Sequence, residues 1–274
     1  MSYFNNKTYF ISGASRGIGK AIALKLASEG ANIIIASKSV EENPKLGGTI
    51  FSAAKEIEKA GGNALPVPCD IRDENRIIEA VTQGIEKFGG LDGVINNASA
   101  ISLTNTEQTE AKRFDLMHDI NVRGTFLVTK HCIPHLKSSS NPHILTLSPP
   151  LDLDPKWFKD FLAYTISKYN MTMLAMGWAK ELKQYKIAAN SIWPVTTIAT
   201  AAVNNLLGGD YLMKRSRKPE ILADAVHFML QQPAESYTGQ QLLDETVLQQ
   251  AGINDLDQYA VVPGGTLQKD LFVD

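Results

Sequence analysis

The sequence predicts a single doubly wound α/β domain, a parallel sheet of about seven strands with helices on both faces. Three observations predict it. Short runs rich in Ile, Val and Leu alternate with longer stretches of helical periodicity. The first run, residues 8–12, opens straight into a glycine-rich turn and then a helix. No repeat, linker or low-complexity tract divides the 274 residues, a length that one domain can hold.

Strand 1 (8–12) leads to a helix over about 18–28. There Ile18, Ile22 and Leu26 recur every four residues, and Gly30 stands where a terminating glycine belongs. Strand 2 covers 32–36; a long connection through Pro44 and the pair Gly47-Gly48 reaches a helix over 52–60. Strand 3 (65–69) holds Pro66 and Pro68, which lack the N–H that a ladder requires, so it belongs at a sheet edge. A helix, strand 4 (91–95), one long helix over about 109–137 and strand 5 (143–147) follow. A helix over 164–184 and strand 6 (188–192) come next. The apolar stretch 194–209 reads as a loop and a candidate lid; Pro219 opens another helix, and 240–243 is the last strand. Residues 1–244 then form one domain. Residues 245–274, with a Pro263-Gly264-Gly265 turn and little periodicity, read as an extension packed on it or on a neighbouring subunit.

Composition narrows the function. With 44% hydrophobic and 20% charged residues and a net charge of −2, the chain has no general attraction for nucleic acid or an anionic membrane. Its longest apolar run, around 33–36, is far shorter than the roughly 20 residues of a membrane span. The N-terminal MSYFNN passes into strand 1 without a secretory leader, and the terminal LFVD is no SKL-type address. Cys69 and Cys132 match neither a disulfide framework nor a metal spacing. A reduced, cytoplasmic protein is the expectation.

The stretch SGASRGIG places Gly13, Ser15, Arg16, Gly17, Ile18 and Gly19 between a strand and a helix. A dinucleotide pyrophosphate needs backbone N–H groups at a helix N-terminus, and glycines clear the approach, so the sheet is of the Rossmann type. An NAD site usually ends strand 2 with Asp or Glu; here Ser37 is followed by Lys38, with Arg16 in the turn. Two cations and no carboxylate suit a 2′-phosphate, so NADP(H) is expected over NAD(H). Further on, Tyr164 and Lys168 stand four apart on a helix and project from one face. A phenol of pKa near 10 becomes a workable acid/base when an ammonium beside it stabilises phenolate.

These residues sit within five pieces in a fixed order: SGASRGIG, CDIRD, NNAS, INVRG and YTISK. On them the chain resembles the short-chain dehydrogenase/reductase family over nearly its whole length. The pieces PKLGGTI, NNASAISLTNT, ILTLSPP and AYTISKYNM carry a closer likeness to one branch of it. The resemblance implies that Asp70 and the backbone at Ile71 hold the adenine and that Asn97 and Ala98 line the ribose side. It implies that Asn121 perturbs its helix and links Lys168 to solvent. It implies Tyr164 as the general acid in reduction. The long helices that end near Lys137 and Gln184 are those through which the family usually forms dimers, with tetramers also common.

Two departures bear on the chemistry. LTLSPP puts Pro149 where the family's carbonyl-polarising serine stands, and Ser148, one residue earlier, faces the other side of an undistorted strand. A bend at Pro149-Pro150 is the route by which Ser148 would serve as the catalytic serine. After strand 6, Val195 replaces the glycine that usually follows Pro194, and Thr196, Thr197 and Thr200 are the candidates for the nicotinamide carboxamide.

Other features carry less. His131 and His135 are spaced as zinc ligands can be, yet Pro134 lies between them and no acidic third ligand is evident, so a solvated or interface face is expected. Trp157-Phe158 either walls a pocket or packs, and the cluster 214–218 either solvates a loop or meets an anionic substrate tail. The sequence therefore reads as a hydride-transferring oxidoreductase acting on a hydrophobic carbonyl or alcohol of lipid, steroid or terpenoid kind. The competing reading is an NADP(H)-binding protein with little catalysis, which recognises a partner.

Overall fold

The computed structural model describes residues 2–44 and 46–274, and of Leu206 the backbone only. Seven strands form one parallel sheet in the order β3-β2-β1-β4-β5-β6-β7. They are β1 Thr8–Ser12, β2 Asn32–Ser37, β3 Asn63–Pro68, β4 Gly93–Asn96, β5 His143–Leu147, β6 Ala188–Trp193 and β7 Gln241–Leu243. Every residue of β1, β2, β4, β5 and β6 is buried, which is why these segments read as unbroken apolar runs instead of alternating ones. β3 pairs only with β2, at the edge where its prolines need no donor.

The helices are α1 Gly17–Ala27, α2 Ile50–Ala60, α3 Glu74–Phe88, α4 Ala111–Met117, α5 Thr125–Leu136, α6 Leu162–Glu181, α7 Gly209–Lys214, α8 Glu220–Gln231 and α9 Asp244–Gln250. Alternate strand side chains divide the core into two layers. Ile11, Ile33, Ile35 and Ile95 meet α1, α2, α8 and α9, whereas Phe10, Ile34, Val94 and Ile144 meet α3, α5 and α6. Local signals fix the helix ends. Thr49 and Ser52 form a reciprocal capping box on α2, Asp73 caps α3, and Gly61 and Gly89 end these helices in the left-handed region.

Three readings change. The single helix expected over 109–137 is two helices joined by a π-helical turn, His118–Gly124, which contains Asn121. The stretch 194–209 is not all loop, because Val203–Leu207 winds into a second π turn. The extension from residue 245 begins inside α9, whose Val247 and Leu248 are buried; two apolar positions in seven residues give too little pattern to read. Beyond α9 the chain returns across the sheet's C-terminal edge. There Thr197 N donates to Gln268 O (3.0 Å), Asp270 N donates to Val195 O (3.0 Å), and Thr196 and Lys269 bridge antiparallel.

Candidate active site

β1 and β4 are neighbours from which the chain leaves in opposite directions across the sheet, and such a switch point opens a crevice at the strands' C-terminal ends. The turn out of β1 takes Gly13 (φ 73°) and Gly17 (φ 56°) through the left-handed region before α1 starts. A Cβ on Gly13 would lie 3.0 Å from Asn97 Nδ2, and one on Gly19 would lie 2.5 Å from the same atom. Asn97 fills that space for a reason: its Nδ2 donates to Ser12 O (3.0 Å) and Gly13 O (3.2 Å). The amides of Asn97 and Ala98 both donate to Ser12 Oγ at 3.1 Å. α1 begins with no side-chain cap and no acidic residue in its first turn, so its amides and positive end face outward for an anion. Ser15 is buried beside Ser37, Oγ to Oγ 3.4 Å. The turn fits a pyrophosphate, since the first amides of α1 are left uncapped and the glycines of the turn put no side chain over them.

The rim of this turn is cationic. Arg16 Nη2 donates to Ser39 Oγ (2.7 Å) and Gly48 O (3.0 Å), while its buried Nε has no partner among the described residues. Lys38 stands exposed at the end of β2. Of the piece PKLGGTI, Lys45 lies outside the described residues, but Gly48 sits where a Cβ would come within 2.7 Å of Ser15 O. Asp70 is clamped by Arg72 (Nη2 to Oδ2 2.5 Å), which holds its carboxyl below the usual range with a smaller contribution from Lys38. Ile71 is buried, its Cδ1 against Gly124.

Tyr164 faces the crevice from α6, and Lys168 is buried one turn further along the helix. Tyr164 is one wall of a cleft of about 390 Å³, with Ile18, Leu147, Phe161, Trp193 and Pro194 as its neighbours. Lys168 is 2% exposed; its Nζ donates to Leu147 O (2.6 Å) and lies 4.9 Å from the centre of the Trp193 ring. A third ionisable group joins them, Asp270 from the returning C-terminal segment, which lines the same cleft. Burial pushes Lys168 down to about 7 against the pull of Asp270. Burial, with Asp244 behind it, pushes Asp270 up to about 7, although the Leu271 amide and Lys168 oppose the rise. The phenol departs from expectation. Burial, reinforced by Asp270, raises Tyr164 well above the ordinary phenol value and so favours its protonated form over phenolate.

Ser148 does not join this group. It is fully buried on the other side of β5, its Oγ 2.8 Å from Thr172 Oγ1, and Thr172 also donates to Pro149 O (2.7 Å). The prolines do not bring Ser148 round, and the cleft is walled by Leu147 instead. Asn121 is fully buried: its Oδ1 accepts from Ala100 N (2.7 Å) and its Nδ2 donates to Ser167 Oγ (2.9 Å), tying the loop after β4 to α6. Of the threonines left open by the sequence, Thr197 and Thr200 line the cleft. The hydroxyl of Thr197 is shared with Ser216 (2.8 Å), whereas that of Thr196 is buried without a partner among the described residues.

The remaining candidates are structural. Trp157 and Phe158 pack around Phe272 and Tyr169 and do not line the cleft; Phe161 takes that place. Within the cluster 214–218, Arg217 is buried and paired with Glu245, anchoring α9. His131 pairs with Glu74 at 2.8 Å. Asp270 had no local signal in the sequence, because its position follows from pairing with residues more than seventy earlier.

Comparison with known proteins agrees with this geometry. Residues 7–208 match the family model described as short chain dehydrogenase. Hydroxysteroid dehydrogenase-like protein 2 of Danio rerio is 57% identical over 97% of the chain, and its human counterpart 54%. The chain spans 64% and 63% of the length of these two relatives. A solved structure from Xanthomonas campestris superposes with a TM-score of 0.96 at 49% identity, covering 99% of each chain. More distant neighbours include an oxidoreductase in complex with NADP (25% identity, TM-score 0.72) and a dehydrogenase bound to NAD (23%, 0.74). No helix among the described residues is long and apolar enough to cross a membrane. By sequence and by fold, the chain belongs to the short-chain dehydrogenase family of oxidoreductases.

Proposed function

We propose that the protein is an NADP(H)-dependent oxidoreductase that interconverts a hydrophobic carbonyl compound and its alcohol, with Tyr164 as general acid/base. One observation carries this reading: a buried phenol walls an apolar cleft with a buried lysine behind it, at the sheet edge that also holds the glycine turn. A nicotinamide dinucleotide, when bound, supplies or accepts the hydride. The turn of Gly13, Ser15, Gly17, Ile18 and Gly19 would hold its pyrophosphate, and Arg16 and Lys38 a 2′-phosphate. Asp70 and Ile71 would hold the adenine, Asn97 and Ala98 the ribose side, and Pro194, Thr197 and Thr200 the carboxamide side.

In reduction Tyr164 gives its proton to the substrate oxygen, and in oxidation it takes that proton back. Lys168, able to shed or take a proton near neutrality, restores the phenol after each turn. Asn121 holds the loop after β4 against α6 and keeps the Tyr164 face in place. The walls Ile101, Leu103, Phe161, Val203 and Leu212 exclude water and favour a lipid-, steroid- or terpenoid-like substrate. We place residues 1–244 as the cofactor-binding domain and 245–274 as its extension, in a cytoplasmic homodimer or homotetramer. Phe126 on α5 and Ile166, Met173 and Met176 on α6 are exposed apolar residues that a second copy would cover.

The buried position of Ser148 favours one other reading, a cofactor-binding protein with little turnover that acts through a partner. NADPH consumption on a panel of aldehydes, ketones and 3-ketoacyl thioesters decides between them. Tyr164→Phe should lower turnover by roughly 10²-fold or more with cofactor affinity unchanged. Tight cofactor binding with no turnover on any of the panel would replace the enzyme by the binder.

A further inference from the structure

Reduction of a carbonyl places negative charge on its oxygen, and a second hydrogen-bond donor beside the general acid stabilises that charge. β5 does not provide one, because the Ser148 hydroxyl is turned to Thr172. The C-terminal segment brings a different polar group to the cleft and holds it firmly. Asp270 N donates to Val195 O and Thr197 N donates to Gln268 O, while on the other side Trp193 Nε1 donates to Leu271 O (2.8 Å). Phe272, held in the left-handed region at φ 70°, buries its ring among Tyr164, Tyr169 and Trp193, with centroids 5.3–6.2 Å away. Clamped on both sides, Asp270 shares the cleft wall with Tyr164, and its Oδ1 accepts from Leu271 N (2.7 Å).

We propose that Asp270 is a further catalytic residue, whose protonated carboxyl donates a hydrogen bond to the substrate oxygen beside Tyr164. The inference rests on the oxidoreductase reading above. The ionisable groups that face Asp270 are Tyr164 and Lys168 from α6 and Asp244 from the start of α9, with Glu245 and Arg217 behind Asp244. Of these, Asp244 favours the proton on Asp270 and Lys168 opposes it. The donor is therefore present on the acid side of neutrality and lost above it, and carbonyl reduction weakens as the pH rises.

The test uses the full chain, NADPH and the best carbonyl of the panel, with Asp270→Asn and Asp270→Ala followed from about pH 5 to 9. Asp270→Ala should lower kcat roughly 10²-fold while NADPH affinity, read by fluorescence, stays within about threefold. Asp270→Asn keeps a donor that cannot ionise. It should retain kcat within about tenfold and show a shallower decline above neutral pH than the wild type, with the part that Lys168 contributes left in place, a readout that a merely structural role would not move. A kcat for Asp270→Ala within about threefold of wild type, or an unchanged pH decline in Asp270→Asn, overturns the proposal. Undiminished turnover in Tyr164→Phe would instead overturn the underlying reading, whatever Asp270 does. If nothing in the panel turns over, carbon-13 titration of the carboxyl resonance missing from Asp270→Asn decides. A midpoint above about 6 supports the protonated donor, and one near the usual 4 removes it.

Discussion

Ser148 and Lys38 show how far a single side chain can be read. Ser148 was one residue from the expected position, and in a strand one residue is a change of side. Its hydroxyl now serves packing, so Ser148→Ala should leave turnover within about twofold. The lost buried hydrogen bond should cost about 1 kcal/mol, seen as a melting temperature lower by roughly 2–4 °C. A tenfold loss of kcat would return Ser148 to the mechanism. Lys38 is the reverse case, exposed at the end of β2 with its charge available to a ligand. Lys38→Asp should weaken NADP(H) relative to NAD(H) by about tenfold or more, since a carboxylate repels a 2′-phosphate and accepts from a ribose hydroxyl. An unchanged ratio of the two affinities would refute the cofactor assignment. Tyr164 and Lys168 were legible because i, i+4 spacing fixes a shared helix face whatever lies around it. The sign of the Tyr164 shift was not, because burial and Asp270 set it, and both belong to the tertiary structure.

Among the elements, those whose cause is local were legible and those imposed from a distance were not. Pro66 and Pro68 identified an edge strand because a missing donor is a property of the residue itself. Gly61 and Gly89 end α2 and α3 for an equally local reason, their tolerance of the left-handed region. The interruption of the helix over 109–137, which the periodicity missed and only the resemblance at Asn121 implied, was different. Apolar residues continue through it, and the widened turn answers to Asn121 gripping Ala100 and Ser167, partners on two other segments. Gly124 belongs to the same arrangement, since a Cβ there would lie 2.7 Å from Ile71 Cδ1. The strand-like run of 268–271 was equally hidden, for it exists only against the loop after β6.

At the scale of the whole molecule, burial of one histidine sets a limit on acid stability. His143 opens β5 at 3% exposure, with Nε2 3.1 Å from Gln232 O. Burial, aided by Lys7, lowers it to about 4 from an unfolded value near 6.5, although the bond to Gln232 opposes the shift. The folded state thus binds its proton less readily than the unfolded chain. The resulting stability is complete above about pH 6.5 and is lost as the pH falls to about 4, a span worth about 3 kcal/mol. Denaturant midpoints across that range should show the decline, and His143→Gln should flatten it from a lower starting stability; an equally steep decline in the variant would assign it to other groups. The sheet's outermost strands have a consequence of their own. One margin is missing amide donors at Pro66 and Pro68, and the other is β7, three residues long. Neither offers a template on which a foreign polypeptide could lay down another strand. Crowded or partly unfolded samples of this protein should therefore resist fibre growth from the intact sheet, and any association of folded copies is directed to the helical surfaces.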